Sequence, residues 1–567
     1  GLSRGYGDKD EPDCAFNRTG TADFGCWGHR TYTENGRTFH RLEYKNVTVS
    51  FGRYDSGTEA DRWYFWQGPY TAELRMHVIH NGDNALYEGR GQQKYIEVTS
   101  AGTINLTGLN MNNVYLAYVN PTNDLAGSNS DTVTIGGSAA SMSRSISNNA
   151  SSAQKEQPSK TSVIPVSGTP EATAFNALPA GPGAGKRTQV SRQAARSIAP
   201  LSLVVGTSTR EFFSNGNQKV TATLLASGTY SNVWVPSNLI TTSQAQGIAA
   251  KFDILYPVVT NVFGFENGGG PEGDGGMDGD KKIQILIFHE TEGYVGYFHG
   301  KDLHPTNVET YSNEAEMFYM NAYYFDNSHF DNEESYTTLA HEHQHMIHYT
   351  RKNIEKGLPS SAWYNELLSA MTEEIVHPFL NPDGLFRPKR IDNYFSSELS
   401  KWSLADWWQD PDSYNRVGIF GGYLLRNYGG AKLARAIILN DTVGMASIEA
   451  AIAELGTPEP DFYTRFIEAL IFNKSDEAAL GKSLKTFSNS STETINGITY
   501  NIPGFDIDDY LDWRLRYFYN NGINYGSTIA RYCAGILLPE ELRSVTGNLS
   551  ITVTPPTGGA KLFIIVR

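Results

Sequence analysis

The run Thr338-Leu339-Ala340-His341-Glu342-His343-Gln344-His345-Met346-Ile347-His348-Tyr349 decides how the rest of the chain is read. On an α-helix, residues four apart share a face, with Cβ atoms about 6 Å apart. His341 and His345 so placed can converge on one Zn²⁺ through bonds of about 2.0–2.1 Å. Glu342, beside the first imidazole, reaches a water at the metal rather than the metal itself. The apolar flanks Ala340, Met346 and Ile347 suit a buried helix and argue against a solvated, His-rich surface. His348 falls on the same face, where a fourth ligand would close the site as in a structural zinc centre. Past the turn that holds the ligands, it is expected to hydrogen-bond locally. His343, two residues from His341, points away and is given no chemistry.

A catalytic zinc takes three protein ligands and keeps one position open. The helical pattern predicts helices over about 333–351 and 361–376, the second carrying Trp363-Tyr364-Asn365-Glu366-Leu367-Leu368. Glu366 lies far enough beyond His345 for one helix to end, turn and return antiparallel. An unpaired carboxylate among Trp363, Leu367, Leu368 and Met371 is costly to bury, and metal coordination resolves that cost. Glu373 or Glu374 is the alternative third ligand. If neither ligates, either one is a candidate to orient a ligating imidazole.

His-Glu-x-x-His followed by a Glu on the next helix resembles the gluzincin arrangement. More narrowly, Ala340 to Ile347 with Trp363-Tyr364-Asn365-Glu366 resembles the hyicolysin-like family of bacterial zinc metallopeptidases. Phe252-Asp253, Phe263-Gly264, Gly296-Tyr297-Phe298 and Glu316-Met317-Phe318-Tyr319 match in the same order. The resemblance spans roughly residues 201 to 440 and leaves both ends of the chain outside. It departs at His343, where a large apolar residue is expected, and at Leu367-Leu368, where smaller ones are common. The resemblance implies a multidomain α+β protein whose zincin domain combines a mixed sheet with active-site helices. It also implies a secreted or surface-attached zinc endopeptidase acting on proteins or peptides, with Glu342 as general base.

Two further roles follow from the same likeness. Tyr414, in Ser413-Tyr414-Asn415-Arg416-Val417-Gly418, resembles the tyrosine that such enzymes place as a donor to the oxyanion. The last histidine, His377, sits within or just after the third-ligand helix, which favours a tyrosine donor; Tyr364 is the second choice. Asn321-Ala322-Tyr323-Tyr324 resembles the edge strand that many gluzincins present to substrate, since an exposed edge can pair with an extended main chain. An interior strand is the alternative. Separately, the stretch Gly268 to Asp280 places Asp274, Asp278 and Asp280 on a glycine-rich loop, where hard oxygen donors suit Ca²⁺ or a solvated turn.

Around this centre the chain divides into segments. Residues 1–135 alternate short β-type runs with turn residues and read as an N-terminal β-rich module. Residues 136–200 are rich in Ser, Ala, Gly and Pro, as expected of a linker, with a basic run at Lys186, Arg187, Arg192 and Arg196 that also suits a processing site. Residues 201–480 read as the metal-binding domain and 481–567 as a C-terminal β-rich module. Within 243–263, Ile248, Phe252, Ile254, Leu255 and Val259 are expected near one helix face. Lys and Arg number 46 against 61 Asp and Glu, a net charge of −15 over 567 residues, which excludes the basic footprint of a nucleic-acid binder. No apolar run approaches the roughly 18 residues of a membrane span, and a monomer is expected. Cys14 and Cys26 are a plausible disulfide, and Cys533 reads as a buried free thiol. The competing function is a surface binding or adhesion protein in which the His-rich helix is incidental.

Overall fold

A computed structural model of the chain describes residues 93–124 and 203–567, apart from 291–294, 326–331, 383–389, 392–393, 395–402, 408–410, 457, 509–527, 530, 539–541 and 544, together with isolated strands before residue 93 and between 126 and 145. The chain divides into two units, residues 1–91 and 92–567. In the first, β1 (Cys26–Glu34), β2 (Arg37–Tyr44) and β3 (Ala72–Met76) form an antiparallel sheet in that order. The side chains of the expected Cys14–Cys26 pair, and the basic run from Lys186 to Arg196, lie outside the described residues. Cys533 is buried and in no disulfide, and burial pushes its thiol up to about 12.

The second unit opens with β4 (Lys94–Glu97), β5 (Gly102–Asn112), β6 (Val114–Asn120) and β7 (Thr134–Gly137), whose partners come from the far end of the chain. Next come β8 (Thr209–Phe213), β9 (Lys219–Ser227), β10 (Ser231–Pro236), helix α1 (Thr242–Phe263), β11 (Ile283–Phe288), β12 (Gly296–Phe298) and β13 (Met317–Asn321). These six strands make one mixed sheet in the order β8-β9-β10-β11-β13-β12, parallel at β10/β11 and β11/β13 and antiparallel elsewhere. Strand side chains alternate between faces. Val233, Val235, Ile285, Ile287, Phe318 and Met320 therefore join the helix-covered core, while Trp234, Leu286, Met317 and Tyr319 fill a second core on the opposite face. Burial on both faces is why these strands read as nearly continuous apolar runs.

Helix α1 begins at a capping box. Thr241 accepts from the Gln244 amide, and the Gln244 side chain accepts from the Thr241 amide at 2.7 Å. Its buried stripe holds Ile248, Phe252, Leu255 and Val259, as the periodicity predicts. Ile254 is the exception at 42% exposed, because six residues from Ile248 is well off that stripe.

Two helices follow, α2 (Asn332–His348) and α3 (Ala362–Leu380). After His348, α2 runs on through a π-helical turn, Tyr349–Ile354. That turn places Lys352, fully buried, where its ammonium donates to the carbonyls of Ile437, Asn440 and Thr442 at 3.0, 2.8 and 2.8 Å. The contact satisfies carbonyls left over at the end of α5 (Gly430–Leu439), which follows α4 (Pro411–Tyr428). It thereby ties the far end of α2 to the helical core.

A hairpin, β14 (Ser491–Ile495) and β15 (Ile498–Ile502), precedes the last strands, β16 (Cys533–Leu537), β17 (Val545–Val553) and β18 (Lys561–Val566). These last three pair with the strands that opened the unit. One sheet has the order β16-β6-β18-β4; in another, β17 lies between β7 and β5. Leu106 faces Leu549 across β5/β17, and Leu116 faces Ile564 across β6/β18. Arg567, 3% exposed, ion-pairs with Asp476 at 3.0 Å and with Asp508, anchoring β18 to the segment behind α5.

This pairing yields a prediction. A specific protease site inserted between residues 150 and 195, once cleaved, gives two bands in denaturing gels. The pieces nevertheless elute together in size-exclusion chromatography without denaturant, because β4, β5 and β6 remain hydrogen-bonded to β16, β17 and β18. Separation of the pieces in native buffer would contradict the strand assignment.

Candidate metal centre

The helical repeat of α2 brings His341 and His345 together, with Nε2 atoms 3.0 Å apart. Glu366 reaches the same point from α3, its Oε2 lying 3.2 Å from Nε2 of His341 and 3.4 Å from Nε2 of His345. All three residues are buried, and they form the only group of three or more potential metal ligands among the described residues. Three donors bound to one zinc at about 2.0–2.1 Å in tetrahedral geometry lie roughly 3.3–3.4 Å from one another. The triangle matches that size, and its donors are two imidazoles and a carboxylate, so the residues present fit zinc. Without a cation the charges must settle among themselves. Burial alone would raise Glu366, yet His345 and His341 draw its carboxyl down to about 2. Burial alone would lower His341, yet Glu366 and Glu373 hold it up at about 10.

Glu342 is 1% exposed, and its Oε1 has no hydrogen-bond partner in the protein. Burial pushes its carboxyl up to about 7, against the pull of the two imidazoles, and the backbone of Phe298 bonds the group. A buried polar atom without a partner is rare and costly, and points to a water or ligand. The approach depends on β12, since a Cβ at Gly296 would lie 3.2 Å from the Glu342 Cγ and 2.8 Å from the Met320 sulfur.

Tyr414, on α4, is 2% exposed, and its hydroxyl bonds Glu366. Burial, with Glu366 and Glu342 nearby, raises it well above the usual phenol range, so the proton stays on the oxygen. Its ring packs edge-on to Trp407. Tyr364 is engaged elsewhere, donating to the Ser447 hydroxyl at 2.7 Å. His348 bonds the Ser360 hydroxyl at 2.8 Å and stays out of the triad. His343 occupies its apolar slot by stacking on Tyr256, and meets Glu266 at 3.1 Å.

Each imidazole of the triad is backed at Nδ1. His341 meets the Glu373 carboxylate at 2.6 Å, and the other oxygen of Glu373 accepts from Arg390 Nη2 at 2.6 Å. His345 meets the Asn365 side-chain oxygen at 3.1 Å and the Ser369 hydroxyl at 3.0 Å. Glu374 instead pairs with Arg426 at 2.6 Å. Arg390 and Ser369 escape a motif reading, since nothing marks them out in the sequence, and Asn365 enters it only as the neighbour of Glu366.

One expectation changes. Asn321 and Ala322 are not on an edge strand. Strand β13 runs between β11 and β12, the Asn321 amide donates to the Val295 carbonyl at 2.7 Å, and Ala322 opens a 3₁₀ turn. The outermost strand of the sheet on that side is β12. The three aspartates of the glycine-rich loop each have protein partners: Asp274 caps the Gly276 amide, Asp278 pairs with Arg210 at 3.0 Å, and Asp280 accepts from Asn232 and Gln284. They do not gather into a ligand cluster.

Residues 217–500 match the family model described as Peptidase M30. That span contains every residue of the centre described above and stops short of the strands that pair across the two ends of the unit. The chain is also 29% identical over 310 residues to the neutral metalloprotease ShpI of Staphylococcus hyicus, covering 50% of this chain and 67% of that protein.

A cation that binds the folded centre and not the unfolded chain adds stability. Free zinc at ~1,000 times its Kd contributes about 4 kcal/mol. Thermal unfolding of the chelator-stripped protein is therefore expected to rise by several degrees on adding zinc. His345→Ala and Glu366→Gln should abolish the rise, while Glu374→Gln should keep it.

Proposed function

Because this chain belongs to the peptidase M30 family, we propose that it is a zinc endopeptidase that cleaves protein or peptide substrates outside the cell or at its surface. The peptidase portion is read as residues 201–480, a zincin domain whose mixed sheet supports the two helices α2 and α3. In it, His341, His345 and Glu366 hold the metal. When bound, zinc polarises the scissile carbonyl and acidifies water from a pKa of 15.7 toward ~7. The residues of the chain do the rest. Glu342 takes the proton from the attacking water and delivers it to the departing amine nitrogen. Its Oε1 has no partner within the protein and is therefore available to that water. Tyr414 keeps its hydroxyl proton and donates a hydrogen bond as charge develops on the carbonyl oxygen. Extended substrate would lie beside β12, the outermost strand, whose Phe298 backbone touches Glu342.

The observation that carries this reading is the buried, unpartnered oxygen of Glu342 next to three converging ligand atoms. A structural metal site has no use for such a group. Extracellular location rests on the family likeness alone; among the described residues no helix is long and apolar enough to cross a membrane.

Glu342→Gln is expected to retain one zinc per chain and to lower kcat/KM on a casein-type substrate by ~10²–10⁴-fold. Tyr414→Phe should lower kcat by ~10²–10³-fold with little change in bound metal. A Glu342→Gln protein that cleaves at the wild-type rate would remove the enzyme reading.

A further inference from the structure

We propose that Arg390 is a positioning residue for the metal centre: acting through Glu373, it fixes the His341 imidazole and so sets how tightly the site holds zinc. The inference rests on the zinc reading above and deepens it. Glu373 stands two turns beyond Glu366 on α3, so both project from the same side of that helix. Its carboxylate is spanned, one oxygen on His341 Nδ1 and the other on Arg390 Nη2, each at 2.6 Å. The first bond engages Nδ1 and leaves Nε2 as the atom that faces Glu366 and His345, the one free to give its lone pair to a cation. The second stops the carboxylate from swinging away.

The two ligating imidazoles are unequally supported. His345 leans on the neutral groups of Asn365 and Ser369, whereas His341 leans on a charged pair. Arg390 in turn is held by what α4 lacks. A Cβ at Gly418 would lie 2.2 Å from the Arg390 Cδ, so the arginine stem occupies the space that a side chain there would fill. Gly418 is one turn from Tyr414, which puts the stem on the active-site face of α4.

Position and charge make opposite predictions, which allows them to be separated. If Arg390 acted only as a positive charge near the metal, its removal would tighten cation binding. If it positions His341, its removal loosens binding despite the added negative charge.

The test measures Co²⁺ affinity by chelator competition on the full chain, with the visible absorption spectrum of the bound cobalt reporting its geometry. Glu373→Gln is expected to weaken binding by ~10–100-fold. Arg390→Met should weaken it in the same direction, with an altered cobalt spectrum, and Arg390→Lys should restore part of the loss. Gly418→Ala keeps every charge and is the better helix former, yet displaces the arginine stem; it should weaken binding as Arg390→Met does. Wild-type or tighter affinity with an unchanged spectrum in both Arg390→Met and Gly418→Ala overturns the inference while leaving the zinc reading intact. Wild-type protein that takes up neither cobalt nor zinc overturns both.

Discussion

Everything in the centre depends on three potential ligand atoms on buried side chains being driven to within 3.0–3.4 Å of one another. Two imidazole nitrogens that both present lone pairs repel, and a carboxylate buried beside them loses its hydration. Such a group persists only if something positive sits among the three atoms. Protons can do this in the metal-free protein, as the raised His341 and lowered Glu366 indicate. A divalent cation does it without consuming the donor capacity of the imidazoles, and it leaves one coordination position for chemistry.

The fold is arranged to hold that arrangement against its own repulsion. The mixed sheet forms a floor buried on both faces, with the helices packed on one of them. Helix α2 is pinned beyond its ligands by Lys352, whose ammonium is caged by carbonyls at the end of α5 and pushed down to about 8 by burial. Two positions without side chains make room for groups that matter. Gly296 lets Glu342 lie against β12, and Gly418 lets Arg390 reach behind Glu373. The same logic places Glu266 opposite His343: a histidine in an apolar slot needs a partner, and α1 and the loop after it provide Tyr256 and Glu266.

Much of the centre was legible because helical spacing is local. His341, Glu342 and His345 declare themselves by period, and Glu366 by an apolar setting that no lone carboxylate would occupy. The glutamate behind His341 was narrowed only to Glu373 or Glu374, since one residue along a helix turns the side chain by about 100° and the sequence does not say which turn faces inward. Arg390 was beyond reach, because its role depends on a gap left by Gly418 on another helix. Whether Asn321 lies on an edge or an interior strand is closed to sequence for a similar reason: β12 precedes β13 in the chain yet flanks it in the sheet, and only the register shows that β13 is covered. The pairing of β5 with β17 and of β6 with β18 joins residues more than four hundred positions apart. Both ends of the chain read as β-rich, but nothing local names the partner of any strand.

The most direct measurement is anomalous scattering above the zinc absorption edge from crystals of protein grown with zinc. One peak is predicted, within about 2.0–2.2 Å of Nε2 of His341, Nε2 of His345 and a carboxylate oxygen of Glu366. No other side chain should fall inside that radius. A peak also ligated by His348 or any fourth protein group, or full zinc loading with no peak between these three residues, would contradict the account.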